Sequence, residues 1–182
     1  MSDQSTSLRL FIAIDLPESL QDRIGEQLPH IPEVRWSPPE QLHMTLAFIG
    51  KLEAHRMPAL DQALSLIQFE PFTLSLDRIG TFGDHILWIG SANTEALEHL
   101  QREVVEALTQ AQVEYDDTHP FTPHVTIGRS KEPWSATTLS QVETCLLDSP
   151  ASLLVDQLVL KNSVRSAHGA IHQVVRLYDA QS

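Results

Sequence analysis

Two short segments carry the residue types of acid-base chemistry in one pattern: histidine, apolar residue, threonine, apolar residue. They are His-Met-Thr-Leu from position 43 and His-Val-Thr-Ile from position 124, each in a strand-like run. Alternate side chains of a strand point to the same face, so His43 and Thr45 are expected to project together, as are His124 and Thr126. The sequence therefore predicts a site with two imidazoles and two hydroxyls.

Such a site suits a reaction at phosphorus, in which one group removes a proton from the nucleophile and another gives a proton to the leaving oxygen. Imidazole titrates near neutral pH, so one histidine can be neutral while the other is protonated. The threonine hydroxyls can donate hydrogen bonds to phosphate oxygens, helped by backbone amides or an arginine. This chemistry requires no metal ion or other cofactor.

A single copy of the pattern would be most simply explained as an ordinary strand whose histidine is satisfied. The duplication changes that judgement. Each copy follows a proline within five residues and precedes a glycine, Gly50 or Gly128. These shared features favour an internal twofold repeat, and with it a functional role for the two histidines.

The elements that must position these residues alternate between helical and strand-like spacing. Helical spacing is carried by four groups: Leu20, Ile24 and Leu28; Met57, Leu60, Leu64 and Ile67; Leu97, Leu100, Val104 and Leu108; Leu139, Val142 and Leu146. Strand-like runs occupy 8–14, 42–49, 72–76, 86–89, 124–129, 153–160 and 171–178. This order predicts an α+β fold with successive strand pairs, and we expect residues 1–182 to form one compact unit.

Size and composition limit the class of protein. The 182 residues, 42% of them apolar, are enough for one domain or two small lobes that share a core. The lone Cys145 excludes an intrachain disulfide framework, and Asp15 and Pro17 end the first apolar run far below the length of a signal peptide or membrane span. We expect a soluble, cytoplasmic monomer that does not contact membranes.

The formal net charge of −12 argues against tight, nonspecific binding of a long nucleic acid, which draws its affinity from Lys and Arg. A phosphate ligand must therefore be met locally. Basic residues next to strand-like runs could form a small positive pocket, although most such residues are solvated surface charges: Arg35, Lys51, Arg129, Lys161 and Arg165.

The remaining histidines are expected to lie mostly at the surface: His30, His55, His85, His99, His119, His168 and His172. A metal site needs three or four convergent ligands, and the sequence has no Cys-x-x-Cys pair and no phosphate-binding glycine loop. Cys145 is better explained as a core residue than as a nucleophile.

With these motifs assembled, the chain resembles the two-histidine phosphoesterase superfamily, and within it the LigT-type RNA 2′,3′-cyclic phosphodiesterases. The resemblance rests on Arg-Leu-Phe-Ile-Ala-Ile from position 9, Arg35-Trp36, and the segments 42–50 and 121–129, and it continues through the run near Leu158. It implies two antiparallel-sheet lobes with outer helices, related by a pseudo-twofold axis, with both motifs facing a central cleft.

The resemblance also implies the roles of the residues. His43 would be the general acid, His124 the general base, and Thr45 and Thr126 would hold the phosphate. Arg129 is a further candidate for binding substrate, although simple alternation places it opposite His124 unless the strand bulges or ends at Gly128. Phe48 could stack on a base, but alternation places it in the core with Met44 and Leu46.

The expected partners are RNA ends that bear a 2′,3′-cyclic phosphate, or related small cyclic nucleotides including an ADP-ribose cyclic phosphate. Hydrolysis would give a 2′-phosphomonoester. If a 5′-hydroxyl replaces water, the same site would join RNA ends through a 2′-5′ linkage. An RNA-end binding module, in which the histidines only hydrogen-bond to phosphate, is the alternative from a different class.

Overall fold

The computed structural model describes residues 7–167 and 169–181. His168 lies outside them. The described residues form four α-helices, ten strands and two short 3₁₀ helices at Pro39–Gln41 and Ala54–Arg56. The strands are β1 Ser7–Asp15, β2 Val34–Trp36, β3 His43–Glu53, β4 Phe72–Leu76, β5 Arg78–Phe82, β6 Ile86–Gly90, β7 Val125–Ser130, β8 Ala151–Val155, β9 Gln157–Ser166 and β10 Gly169–Asp179; the helices are α1 Glu18–Gln27, α2 Met57–Ser65, α3 Glu95–Gln110 and α4 Ala136–Leu147.

Within the described residues, eight strands form one antiparallel sheet. Its order is β10-β9-β1-β3-β7-β6-β5, and β2 pairs with β7 beside this path. β4 and β8 form a separate two-stranded antiparallel sheet. The chain thus contributes β1, β3, β9 and β10 to the half that carries His43, and β2, β5, β6 and β7 to the half that carries His124. The expected α+β, bilobal arrangement is confirmed.

The two halves meet at one register pair, Met44 of β3 against Val125 of β7. Both residues are fully buried. Adjacent strands elsewhere share longer ladders, such as the nine pairs from Ser7 to Asp15 between β1 and β3. The junction therefore lies directly beside both histidine-threonine segments.

The core explains the helical spacing. Each helix buries the stripe that its apolar residues form, as in α3, where Leu97, Leu100, Val104 and Leu108 are at most 1% exposed. Helix α2 packs on α3, and α1 contacts α4. All four predicted helices are confirmed. No helix among the described residues has the length and apolar character needed to cross a membrane.

The strand predictions need two corrections. The apolar run 153–160 is not one strand, because β8 ends at Val155 in the small sheet and β9 begins at Gln157 in the large one. Only Asp156 lies between the two strands, so the run looks continuous in the sequence. Strands β2 and β5 were not predicted. In β5, a Cβ at Gly80 would lie 2.2 Å from the Trp88 ring, so a glycine at this position leaves room for the ring. The same glycine weakens the strand pattern in the sequence.

Candidate active site

His43 is the first residue of β3, and its ring is held by the backbone behind it. The Nδ1 atom lies 2.6 Å from the carbonyl oxygen of Gln41. A carbonyl only accepts hydrogen bonds, so Nδ1 carries the proton and the neutral ring has its lone pair on Nε2. Phe11 packs against the same ring, with 5.1 Å between the ring centroids. Nε2 is thus the nitrogen available for proton transfer.

His124 directly precedes β7 and is held in the same way. Its Nδ1 lies 2.7 Å from the carbonyl oxygen of Thr122, again two residues earlier. Phe82 packs edge-on against the ring at 4.7 Å, and Trp88 lies 6.4 Å away. The two imidazoles therefore share one tautomer, and either can act as base when neutral or as acid when protonated.

The junction between the halves sets the relative position of the two motifs. β3 and β7 are antiparallel and pair at Met44 and Val125. Extending that register by one residue on either side sets His43 opposite Thr126 and Thr45 opposite His124. Each histidine is thus the neighbour of the other motif's threonine.

A β-bulge redirects the strand after the first motif. Ile12 of β1 pairs with Ala47 and Ala13 pairs with Thr45, so Leu46 is an extra residue in β3. Both Leu46 and Ala47 are buried, and Phe48 returns to the face of the cleft. The core position expected for Phe48 is therefore wrong, because simple alternation fails at the bulge.

The second motif contains the same irregularity. Leu87 of β6 pairs with Gly128 and Trp88 pairs with Thr126, so Ile127 is the extra residue. Arg129 thereby lies on the cleft face with His124 and Thr126 rather than opposite them. A Cβ at Gly128 would lie 2.7 Å from the Trp36 ring, so the glycine there allows a close approach.

A cleft of about 500 Å³ is lined by both histidines, both threonines, Phe48 and Arg129. The structure thus brings together every predicted site residue. Among the other basic candidates, Arg35 also lines the cleft and pairs with Arg129 across β2 and β7. Lys51 and Arg165 are exposed outside its lining.

Lys161 lies behind the cleft rather than in it. Its side chain is 6% exposed, and Nζ donates hydrogen bonds to both carboxylate oxygens of Asp15 at 2.6 and 2.8 Å. Asp15 pairs in register with His43. The lysine charge is thus compensated locally, as a buried cation requires.

Burial favours the neutral form of both motif histidines. It lowers the pKa of His43 to about 4, against the opposing effect of the hydrogen bond to Gln41. The charge of His172 in its protonated form and the charge of Lys161 lower the pKa of His43 further, whereas Asp15 raises it. Burial also lowers the pKa of His124, and the hydrogen bond to Thr122 partly offsets this. In the free protein, His43 is therefore neutral at neutral pH.

His172 and Phe82 are contributors to the site that were not predicted. His172 of β10 was assigned to the surface, yet it lines the cleft and packs against His43, with 5.0 Å between the ring centroids. Phe82 lies in the unpredicted β5. Neither position carries a local signal: each reaches its histidine through sheet pairing between segments distant in sequence. The part of the chain that the structure describes contains no cluster of three or more side chains able to hold a metal ion.

Comparison with known proteins defines the class. A family model described as the 2′-5′ RNA ligase superfamily matches residues 16–166. That range contains both motifs and most of the large sheet. The chain belongs to the 2′-5′ RNA ligase superfamily, and it is an enzyme.

Individual relatives extend the match over nearly the whole chain. An RNA 2′,3′-cyclic phosphodiesterase of Archaeoglobus fulgidus is 27% identical over 181 residues, which cover 94% of this chain and 100% of the relative. A protein of the same name from Thermus thermophilus is 33% identical over 140 residues, covering 69% of this chain and 70% of the relative. The crystal structure of Escherichia coli LigT complexed with phosphate is 25% identical, with a TM-score of 0.77, and covers 98% of this chain and all of that one.

Proposed function

We propose that this protein hydrolyses the 2′,3′-cyclic phosphate at RNA ends to a 2′-phosphomonoester by acid-base catalysis without a metal ion. The observation that carries the proposal is the matched pair of cleft imidazoles. Each donates from Nδ1 to a carbonyl two residues earlier, which leaves Nε2 of both rings for the substrate. The names of the relatives support the substrate class.

The proposed reaction uses one histidine on each side of the phosphorus. Nε2 of neutral His124 removes a proton from water, and the resulting hydroxide attacks phosphorus in line. The bond from phosphorus to the ribose 3′-oxygen breaks, and protonated His43 donates its Nε2 proton to that oxygen. The product carries the phosphate on the 2′-oxygen. Proton exchange with solvent then restores both histidines.

Hydroxyl and guanidinium groups hold the phosphate in this scheme. Thr45 and Thr126 donate to its nonbridging oxygens, and Arg129 adds a positive charge at the same face of the cleft. These oxygens carry the charge that develops during attack. Donors fixed on two strands cost little reorganisation when that charge appears.

The protonation of His43 depends on the substrate. Its pKa of about 4 means that few molecules of the free protein carry the acid form of His43 at neutral pH. A phosphodiester bears a negative charge, which favours the imidazolium form of a neighbouring histidine. We therefore propose that the substrate's own phosphate raises the pKa of His43 and prepares the acid.

A second groove bears on the choice between hydrolysis and ligation. It shares Thr45, Phe48 and His124 with the cleft. Its lining includes the carboxylates Glu106, Asp116 and Asp117 and, besides Arg102, no lysine or arginine. Carboxylates repel the backbone of a second RNA strand, so this groove favours water over an RNA 5′-hydroxyl as the nucleophile. Ligation through a 2′-5′ linkage is the secondary reaction of the same site.

The direct test is to incubate the purified protein with a short RNA that ends in a 2′,3′-cyclic phosphate. We expect conversion to a 2′-phosphate, with loss of activity in the His43→Ala variant. Intact cyclic ends after prolonged incubation, together with tight binding of the RNA, would instead indicate a binding module. Adding an RNA with a 5′-hydroxyl measures ligation in the same assay.

A further inference from the structure

The β9–β10 hairpin forms a wall of the cleft beside His43. Ser163 and His172, register partners on its two strands, both line the cleft. Gln41 ties this wall to the first motif: its carbonyl accepts from His43, while its side chain donates to the carbonyl of Ala170 at 3.2 Å. The hairpin is therefore held in a defined position relative to His43.

The ring of His172 is fixed by two aromatic neighbours. Its centroid lies 4.9 Å from that of Phe11 and 5.0 Å from that of His43, with interplanar angles of 72° and 84°. Both contacts are edge-to-face, the favoured arrangement for such rings. A ring packed in this way loses little rotamer freedom when a ligand arrives.

The two nitrogens of His172 differ in their surroundings. Nδ1 is buried and has no hydrogen-bond partner among the described residues. Buried N–H groups that lack a partner are rarer in proteins than buried acceptors that lack one. The neutral ring therefore carries its proton on Nε2, which is the opposite tautomer from His43 and His124. Burial and the nearby Lys161 charge lower the pKa of His172 and favour this neutral form.

Ser163 adds a second donor at the same place. Its side chain is partly exposed to the cleft and makes no hydrogen bond within the described chain. A hydroxyl and an imidazole N–H, side by side and without partners, are suited to an acceptor atom of a ligand. His43, whose neutral Nε2 is an acceptor, cannot serve that purpose before it is protonated.

We propose that His172 and Ser163 form a subsite for a phosphate oxygen, with the His172 Nε2–H and the Ser163 hydroxyl as donors. This inference rests on the proposed function only in taking an RNA end as the whole substrate. It lies beyond the two motifs, and His172 lies outside the residues 16–166 that match the family model. It makes β10 part of the binding machinery rather than only the edge of the sheet.

The test measures binding of inorganic phosphate by NMR titration at pH 7.5, and the KM and kcat for the cyclic RNA end. His172→Phe keeps an aromatic ring against Phe11 but removes the donor. We expect phosphate binding to weaken by roughly 10-fold or more, with a similar rise in KM and little change in kcat, because the donor acts equally before and during reaction. His172→Gln, which restores an N–H near the position of Nε2, should recover part of the affinity.

His55→Phe is the matched control, since His55 is an exposed histidine outside the cleft and the second groove. This variant should bind phosphate as the wild type does. Unchanged phosphate affinity in His172→Phe would overturn the inference. So would a loss confined to kcat, which would show that the ring only packs against His43. If the wild type binds phosphate through His172 but leaves cyclic ends intact, the proposed function fails and the subsite stands.

Discussion

Leu46 and Ile127 are equivalent residues in the two halves of the sheet: each is the extra residue of a β-bulge, three positions after a cleft histidine. Because both bulges reverse the alternation, the side chains two positions later, Phe48 and Arg129, lie on the cleft face. One half therefore contributes an aromatic ring and the other a guanidinium at corresponding positions. The twofold repeat extends beyond the histidines and threonines into backbone geometry.

Removing either imidazole should greatly slow turnover without unfolding the protein. We expect His43→Ala and His124→Ala each to lower kcat by roughly 10²- to 10⁴-fold, the usual contribution of one acid or base. The measurement is hydrolysis of the cyclic RNA end, with circular dichroism to verify the fold. His55→Ala is the control for loss of an exposed histidine. Wild-type rates in either cleft variant would exclude the two-histidine mechanism.

The threonine hydroxyls should matter less than the imidazoles. Thr45→Val and Thr126→Val keep the β-branched shape but remove one donor each. We expect each to lower kcat/KM by roughly 10- to 1000-fold, as loss of one transition-state hydrogen bond does. Thr73→Val, at an exposed position of β4, controls for the substitution itself. Equal rates in the cleft variants and the wild type would remove the hydroxyls from the scheme.

The pH dependence of kcat/KM should be bell-shaped and displaced towards acid. Both histidine pKa values are lowered in the free protein, that of His43 to about 4. The acid form of His43 is lost as the pH rises above its pKa, and the base form of His124 is lost as the pH falls below its own. The maximum of kcat/KM should therefore lie below the usual histidine value of 6.5. For kcat, which reports the complex, the bound phosphate should shift the profile upward.

Steady-state rates from pH 4 to 9 test this prediction. A kcat/KM that rises steadily from pH 6.5 to 9 would contradict it, because a rise in pH over this range only reduces the fraction of protonated His43.

Activity should survive exhaustive chelation. Two imidazoles and the hydroxyl donors supply the proton transfers and charge stabilisation that a metal ion provides elsewhere. The assay compares protein dialysed against EDTA with untreated protein on the same RNA. Loss of activity that a divalent ion restores would overturn the metal-independent mechanism.

The product should carry a 2′-phosphate rather than a 3′-phosphate. In-line attack places nucleophile and leaving group on opposite sides of phosphorus, so a histidine on each side permits one ribose oxygen to leave in a given pose. Phosphorus NMR distinguishes the two isomers. A predominant 3′-phosphate would mean that the substrate lies reversed, with the roles of His43 and His124 exchanged.

Local spacing predicted the helices and duplication singled out the two motifs, whereas the central cleft was implied by the resemblance to a known family. Alternation failed at Phe48, since the bulge changes the face of the residues directly after it and Leu46 looks like any other apolar strand residue. It also gave no sign of His172, whose position depends on the pairing of β9 with β1 and β10. Positions set by register between distant segments need the structure.

The single Met44–Val125 pair between the halves has a consequence for detecting ligands. Few backbone hydrogen bonds cross this junction, so local opening there should cost less free energy than opening the long ladders on either side. A ligand held by residues of both halves would act as an additional cross-link and slow that opening. Amide hydrogen exchange near the junction would then report occupancy of the cleft even for compounds that are never turned over.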